Sequence, residues 1–325
     1  MSKALNATGR PILYSLCNWG EDYPWNWAST IANSWRIAGD IDDIWDTPDA
    51  RCPCDGQNAW DCGLPGFHCS IINIVNKVAF VPSKSQPGGW NDLDMLEVGN
   101  GAMTDAEYVS HFSLWAAVKS PLIMGNDLRI VDAPTLSILS HAPMIAVNQD
   151  PLGSSASRRY LYYPNPPGAA EPGSQSLQMW SGNLLSTTGG EENDVIVLLI
   201  NGLSNARVMT ASLADIFVDS RPNRRARQFK MRWEVRDLWA NRMNDEEARW
   251  IIGNSTTGSN DSSAVRAARF NATKTSYAEG LRNKDERLLG SVVATVVPSG
   301  TITAKVGAHG CKVFRLRVVG GHDEL

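Results

Sequence analysis

The sequence contains no apolar run of the about 18 residues that mark a membrane-spanning helix. Its opening, Met1-Ser2-Lys3-Ala4-Leu5, lacks the apolar stretch of a signal peptide or membrane anchor. No membrane association is expected of the chain as written. Charge of one sign is not in excess either, since 30 Lys and Arg stand against 34 Asp and Glu for a formal net charge of −4. No basic block is long enough to neutralise a row of phosphates, which argues against nucleic acid as a partner. Internal repeats are absent, and so are the paired C-x₂-C knuckles of common zinc sites. What is present is length and apolar content. The chain has 325 residues, 43% of them hydrophobic, enough for one large domain or two ordinary ones with packed cores.

Tryptophan is abundant where tyrosine and phenylalanine are not: 12 Trp against seven Tyr and seven Phe. Trp19, Trp25, Trp27, Trp35, Trp45, Trp60 and Trp90 crowd the first part of the chain. An indole is a wide apolar plate with one N–H donor. It serves either as core or as a platform on which the C–H face of a sugar stacks, and core is the commoner use.

Cys52, Cys54, Cys62 and Cys69 lie in a loop rich in Pro and Gly. Two disulfides are the expected use of these four, with zinc, and His68 as an added ligand, the competing one. Four cysteines allow three pairings, and the nested one is favoured, Cys52 with Cys69 around Cys54 with Cys62, because neighbours on a C-x-C turn point in different directions. Cys17 and Cys311 remain as small buried hydrophobes. Glycosylation sequons occur at Asn6, Asn254, Asn260 and Asn271. Together with a disulfide loop they point to an oxidising, secretory environment. The final His322-Asp323-Glu324-Leu325 matches an address for retention in the endoplasmic reticulum, one that works only on a protein already inside.

Up to about residue 150, short apolar segments that finish in polar residues alternate with helices, the pattern of parallel strands buried on both faces. Segments 11–17, 35–41, 88–96 and 121–127 are the expected strands. Thr104 and Glu107 form a capping box that opens a helix over 106–119, and Asp132 caps another over 133–140. Beyond Asn148-Gln149-Asp150-Pro151, strands over 176–181, 194–201, 206–212, 229–239, 289–297 and 301–319 suggest an antiparallel sandwich. Residues 241–285 are polar and sequon-bearing, a surface insertion. The domains are therefore expected at 1–150 and 151–325.

Asp40-Ile41-Asp42-Asp43 ends one of the expected strands, where barrel enzymes place reactive side chains. Strand alternation puts Asp40 and Asp42 on one side, although Asp42 or Asp43 also suits the cap of a following helix. Trp90-Asn91-Asp92-Leu93-Asp94-Met95 repeats the theme with an indole to stack on a sugar and carboxylates to accept its hydroxyls. Arg36 stands four residues before Asp40, positioned to orient a carboxylate by its fixed charge.

Four ordered motifs, Tyr14-Ser-Leu-Cys-Asn-Trp-Gly20, Trp35-Arg36 with Gly39-Asp-Ile-Asp-Asp43, Gly89-Trp-Asn-Asp-Leu-Asp-Met95 and Pro121-Leu-Ile-Met-Gly-Asn-Asp127, resemble the alpha-galactosidases of glycoside hydrolase family 27, in particular the fungal secreted branch that also carries the cysteine loop. The resemblance covers essentially the whole chain. It implies an α/β plus all-β fold: the C-terminal half of a (β/α)8 barrel, strands 5 to 8, followed by an antiparallel β-sandwich. It implies a retaining hydrolase, without metal or organic cofactor, that releases terminal alpha-linked galactose from oligosaccharides or polysaccharides. In that family the counterpart of Asp40 is the general acid/base, and Cys17, Asn18, Trp19, Arg36, Trp90 and Asp94 fall at substrate-contacting positions. Asp92 and Met95 are weaker candidates, with Asp92 set behind the contact layer. Asn18 replaces a glutamate found in animal members, which leaves alpha-N-acetylgalactosaminidase and beta-L-arabinopyranosidase as alternative specificities. The family's nucleophile, an aspartate in a Tyr-x-x-x-Asp-x-Cys context, has no counterpart here, so the chain alone is expected to be inactive, a piece of a longer enzyme. A noncatalytic carbohydrate-binding or decoy role is the alternative from a different class.

Overall fold

The computed structural model describes residues 1–47, 52, 68–164, 176–254 and 269–319. Its first part is built on parallel pairings. Strand β2 (Ser34–Arg36) lies between β1 (Ser15–Leu16) and β5 (Trp90–Asp92), parallel to both. A second parallel pair joins β3 (Asp40–Ile41) to β4 (His68–Cys69). Helices back these strands. α1 (Ser2–Asn6) is short, and α2 (Ile71–Val78) follows β4 directly, its eight residues all buried. α3 (Asp105–Ala117) begins at the expected capping box, with Thr104 N donating to Glu107 Oε2 at 2.7 Å. Its Tyr108, Phe112, Trp115 and Ala116 are buried, as the shared face requires. α4 (Ala133–Leu139) is capped by Asp132, which accepts from Thr135 N at 2.9 Å, and α5 (Ala142–Asn148) follows after one turn.

The second part is antiparallel. Strands β6 (Ser157–Tyr162), β7 (Leu177–Leu184), β8 (Asp194–Asn201), β10 (Arg232–Asp237), β11 (Ser291–Val296) and β13 (Cys311–Val319) form a six-stranded sheet in the order β11-β10-β13-β8-β7-β6. β9 (Arg207–Ser212) and β12 (Thr301–Val306) form the second layer. Strand β8 explains how the layers stack. Val195, Val197 and Leu199 point into the sandwich with Met209, Ala211, Trp233, Ile302 and Phe314. Ile196, Leu198 and Ile200 point the other way, into one cluster with Trp115, Val147, Trp180 and the residues around the parallel strands. All eight β8 residues are buried, so the strand reads as an unbroken apolar run rather than an alternating one. Further contacts cross the same seam. Trp239 Nε1 donates to Ser113 Oγ at 2.9 Å, His309 Nδ1 meets Glu107 Oε1 at 2.7 Å, and Arg158 lies over the Phe80 and Trp180 rings.

Three expectations need correction. Segment 121–127 is not a strand; it makes a single bridge, Leu96 with Met124, because Pro121 cannot donate and the chain turns away at Gly125. Residues 301–319 are two strands and not one, divided at Gly307-Ala308-His309-Gly310, where His309 is left-handed at φ 47°. The polar 241–285 stretch contributes α8 (Asp245–Asn254) and α9 (Tyr277–Arg282), and α10 (Glu286–Leu289) follows it, with Leu281, Leu288 and Leu289 fully buried against Ala146 of α5. Two further helices precede these: α6 (Leu213–Ile216) and α7 (Pro222–Lys230) join β9 to β10.

Candidate active site

The site forms where the parallel strands end. Register pairs Arg36 at the end of β2 with Asp92 at the end of β5, and this brings Asp94, two residues farther on, beside the segment that carries Asp40. The Arg36 guanidinium, 9% exposed, is the hub. Its Nη2 lies 2.6 Å from Asp94 Oδ2 and 3.2 Å from Asp40 Oδ1, and it donates to the Gly39 carbonyl at 2.7 Å. Its Nη1 lies 3.9 Å from Cys17 Sγ. Arg36, Asp40, Asp94 and Cys17 are thus brought together.

The two carboxylates on that guanidinium differ in what they have left to offer. Asp94 is 10% exposed, and its Oδ2 also accepts from Ile41 N at 2.9 Å while its Oδ1 accepts from Met95 N at 2.8 Å. Both oxygens are committed. The Asp40 side chain is 56% exposed and touches the guanidinium through one oxygen. It is the carboxyl group of the pair that a solvent-borne ligand can reach.

Backbone strain supports the arrangement. Asp94 adopts φ 80°, rare outside glycine. Three contacts hold it there: its N–H donates to Asp92 Oδ1 at 2.8 Å, its carbonyl accepts from Trp115 Nε1 at 2.8 Å, and its side chain caps Met95 N. Burial raises the Asp92 carboxyl above its ordinary range, with the hydrogen bond from Asp94 N and the Arg36 charge opposing. Asp92 therefore lies behind Asp94, as its sequence position suggested. The indole of Trp115 is braced by His111, edge-on at 4.1 Å, and burial drives that imidazole down to about 3. His111 Nε2 accepts from Glu97 N at 3.0 Å, so the ring is neutral there. Sequence marks Trp115 only as part of the apolar face of α3 and does not mark His111; nothing local signals their contact with Asp94.

The remaining candidates spread around this hub. Trp19 has φ 55° and begins a left-handed turn with Gly20, where an added Cβ would stand 2.4 Å from the Ile37 carbonyl oxygen. Asn18 Nδ2 donates to Glu21 O at 2.7 Å, and its Oδ1 is shielded from solvent without a partner. Trp19 and Trp90 are half-buried, whereas Trp35, Trp115, Trp180 and Trp233 are core. Met95 is 43% exposed. Asp42 faces His68 at 3.4 Å. Neither Asp42 nor Asp43 caps α2: Ser70 does, and Asp43 instead accepts from Tyr108 Oη at 3.0 Å and from Ala102 N at 2.7 Å.

Cys52 and Cys69 are disulfide-bonded. Cys54, Cys62, Trp60, Asn260 and the 322–325 tetrapeptide lie outside the described residues. Cys17 is free and exposed, contrary to the expectation of a buried hydrophobe, because the rim of the strands leaves its thiol facing outward beside Arg36; Cys311 is free and half-buried. Of the sequon asparagines, Asn6 and Asn271 are exposed, and Asn254 is half-buried with Nδ2 donating to Trp250 O at 2.8 Å. No group of three metal-ligating side chains occurs among the described residues, and no described helix is long and apolar enough to cross a membrane.

Parallel strands that gather charged side chains at their C-terminal ends, followed by an antiparallel sandwich, fit the class of barrel glycoside hydrolases. The comparisons make this specific. Residues 1–150 match the family model described as alpha galactosidase A, and residues 174–269 match that of the alpha galactosidase C-terminal beta sandwich domain. The alpha-galactosidase of Saccharomyces paradoxus is 48% identical over 317 residues, 98% of this chain and 64% of that protein. That of Torulaspora delbrueckii is 47% identical over 318 residues, 98% of this chain and 63% of that protein. The Saccharomyces cerevisiae alpha-galactosidase, also solved with raffinose, superposes with a TM-score of 0.87 at 44% identity, covering 98% of this chain and 67% of that one. The chain belongs to the alpha-galactosidase family, glycoside hydrolase family 27. It spans 64% of the length of the first of these relatives.

Proposed function

We propose that this chain carries the proton-transferring half of a galactose-releasing active site. In this reading Asp40 is the general acid/base of a retaining alpha-galactosidase, acting on oligosaccharides or polysaccharides that end in alpha-linked galactose. Arg36 and Asp94 form the fixed floor beside it, and Trp90 and the Cys17-Asn18-Trp19 rim border the sugar. One observation carries the proposal: of the two carboxylates on the Arg36 guanidinium, Asp40 alone is free and solvent-facing.

Retaining hydrolysis divides the chemistry between two carboxyl groups about 5 to 5.5 Å apart. Protonated Asp40 gives its proton to the glycosidic oxygen as the bond from C1 to that oxygen breaks, while a carboxylate attacks C1 and forms a glycosyl ester. The Asp40 carboxylate then takes a proton from water, whose oxygen attacks C1 and releases the ester. Asp94 is 10% exposed and both its oxygens already accept hydrogen bonds, Oδ2 from Arg36 and Ile41 N and Oδ1 from Met95 N, which weighs against the attacking role. The attacking carboxylate is therefore assigned to a segment outside this chain, and the chain alone is expected to turn nothing over. A secretory-pathway location follows the same reading, given the Cys52–Cys69 disulfide.

The test is a chimera in which this chain replaces the matching 317 residues of the Saccharomyces paradoxus relative. It should hydrolyse aryl alpha-galactosides. Asp40→Ala should remove activity on poor leaving groups by about 10²-fold or more, spare the first step with activated ones, and respond to added azide, which replaces the water that Asp40 would activate. Full activity of the Asp40→Ala chimera on a poor leaving group would overturn the assignment. Turnover by the chain alone, lost on Asp40→Asn, would overturn the placement of the nucleophile elsewhere.

A further inference from the structure

A cavity outside the Asp40 region lies in the sandwich, about 980 Å³ between the β6–β7–β8 edge of the six-stranded sheet and the α6–α7 segment. Its walls carry four guanidinium groups, Arg159, Arg221, Arg224 and Arg227, against one lining carboxylate, Asp219. Part of that charge has internal use. Arg159 pairs with Asp219, Arg224 and Arg227 grip the buried Glu192, Arg224 Nε at 3.1 Å, and Arg227 Nη1 also pairs with Glu191 at 3.0 Å. Three carboxylates thus answer three of the four guanidiniums, and Arg221 supplies the remaining positive charge. Arg221 is exposed and makes no ion pair among the described residues. Arg227 Nε is shielded from solvent without a hydrogen-bond partner, an arrangement that folded proteins avoid unless a ligand or water completes it. Asn183 and Asn223 add amide groups to the wall.

We propose that this cavity binds a sugar bearing one anionic group, a carboxylate or a phosphate. The forked donors of Arg221 and Arg224 take the anion, because guanidinium geometry matches either oxyanion in bidentate fashion. The amides of Asn183 and Asn223 meet the hydroxyls. Nothing in hydrolysis at Asp40 calls for a cationic pocket on the sandwich, so the site stands independently of the proposed activity.

Titration calorimetry on the 325-residue chain with D-glucuronate, glucose 6-phosphate, inorganic phosphate and neutral D-glucose tests it, each protein first shown to melt cooperatively. Saturable binding of an anionic sugar is expected, tighter than that of glucose or phosphate alone, and the preference between the two acids identifies the anion. Arg221→Ala should weaken it at least tenfold, about 1.4 kcal/mol. Arg221 holds nothing else in place, so this variant should fold normally. Arg224→Gln should also weaken it, and Asp40→Asn should leave it unchanged. Absence of saturable binding, equal affinity for glucose, equal affinity for bare phosphate, or binding indifferent to Arg221→Ala would each overturn the proposal.

Discussion

Replacing Asp94 by alanine is the sharpest perturbation of the site that can be weighed in advance. Three donors lose their acceptor together: Arg36 Nη2 at 2.6 Å, Ile41 N at 2.9 Å and Met95 N at 2.8 Å. The guanidinium stays buried, with the Gly39 and Ala38 carbonyls and one exposed carboxylate for company. Removing one partner of a buried pair costs about 3–5 kcal/mol, since the other charge is left uncompensated. Alanine in the left-handed conformation of residue 94 adds about 1 kcal/mol. A loss of roughly 4–6 kcal/mol is expected for Asp94→Ala from these two contributions. Asp94→Asn keeps an acceptor oxygen and tolerates the left-handed backbone, so its cost should be about 1–2 kcal/mol. Asp40→Ala removes one contact of a half-exposed side chain and should cost under about 1 kcal/mol. Urea unfolding followed by tryptophan fluorescence measures all three. If Asp94→Ala proves no worse than Asp40→Ala, then Asp94 is not the structural member of the pair and the division of roles between them is wrong.

Acid should weaken the fold through two histidines. Burial holds His111 down to about 3 and His141 to about 4, so between the unfolded value near 6.5 and those limits the unfolded chain binds more protons. Stability must then fall as pH drops through that window, by roughly 2 kcal/mol for each histidine at pH 5, with Asp92 and Asp150, both raised by burial, offsetting part of it. Urea midpoints at pH 7 and pH 5 measure this, and a higher midpoint at pH 5 would contradict it. Reducing Cys52–Cys69, a cross-link with a sequence separation of 17, should cost about 3 kcal/mol by loop entropy; Cys52→Ser melting with the parent protein reports it, and an unchanged melting temperature would show the bond to be idle. Gly20→Ala places a methyl group against the Ile37 carbonyl in a left-handed turn at φ 84° and should cost about 1–2 kcal/mol, measured by urea unfolding; a neutral result would mean the turn relaxes freely.

What the sequence made legible was local. The Thr104–Glu107 box and the Asp132 cap act within one turn, so they could be seen without the fold. The apolar β8 run announced burial, although not that its two faces serve two different cores. Helix α2 escaped because Ile71, Ile72, Ile74, Val75 and Val78, although at helical spacing, are all β-branched and read as strand formers, and because its capping box uses Asn73 where Glu or Gln is usual. Segment 121–127 failed the other way, apolar like a strand but joined to its neighbour by one bridge. In the site, the motifs named Asp40 and Asp94, which the structure places on one guanidinium, yet the contact of Arg36 with Asp94 arises from the β2–β5 register, and the buttress of His111 and Trp115 from the seating of α3. These are tertiary facts with no local signature.

The acidic residues around this rim show why environment, and not residue type, assigns the chemistry. Asp92, Asp94, Asp43 and Asp40 carry the same functional group within one short stretch of the fold. Burial drives Asp92 toward its protonated form and leaves it to orient a backbone N–H. Asp94 spends its charge on Arg36 and its remaining lone pairs on two backbone donors. Asp43 is taken up by Tyr108 and the Ala102 N–H. Only Asp40 combines exposure with a neighbouring fixed cation and an oxygen not otherwise engaged. A group that must give up a proton and take one back within a single turnover needs a free lone pair and access to water at both stages, and the other three carboxylates have traded one or both for structure. If Asp40 is the acid/base proposed above, exchanging it with any of them should therefore fail to move the activity, because the role would belong to the position.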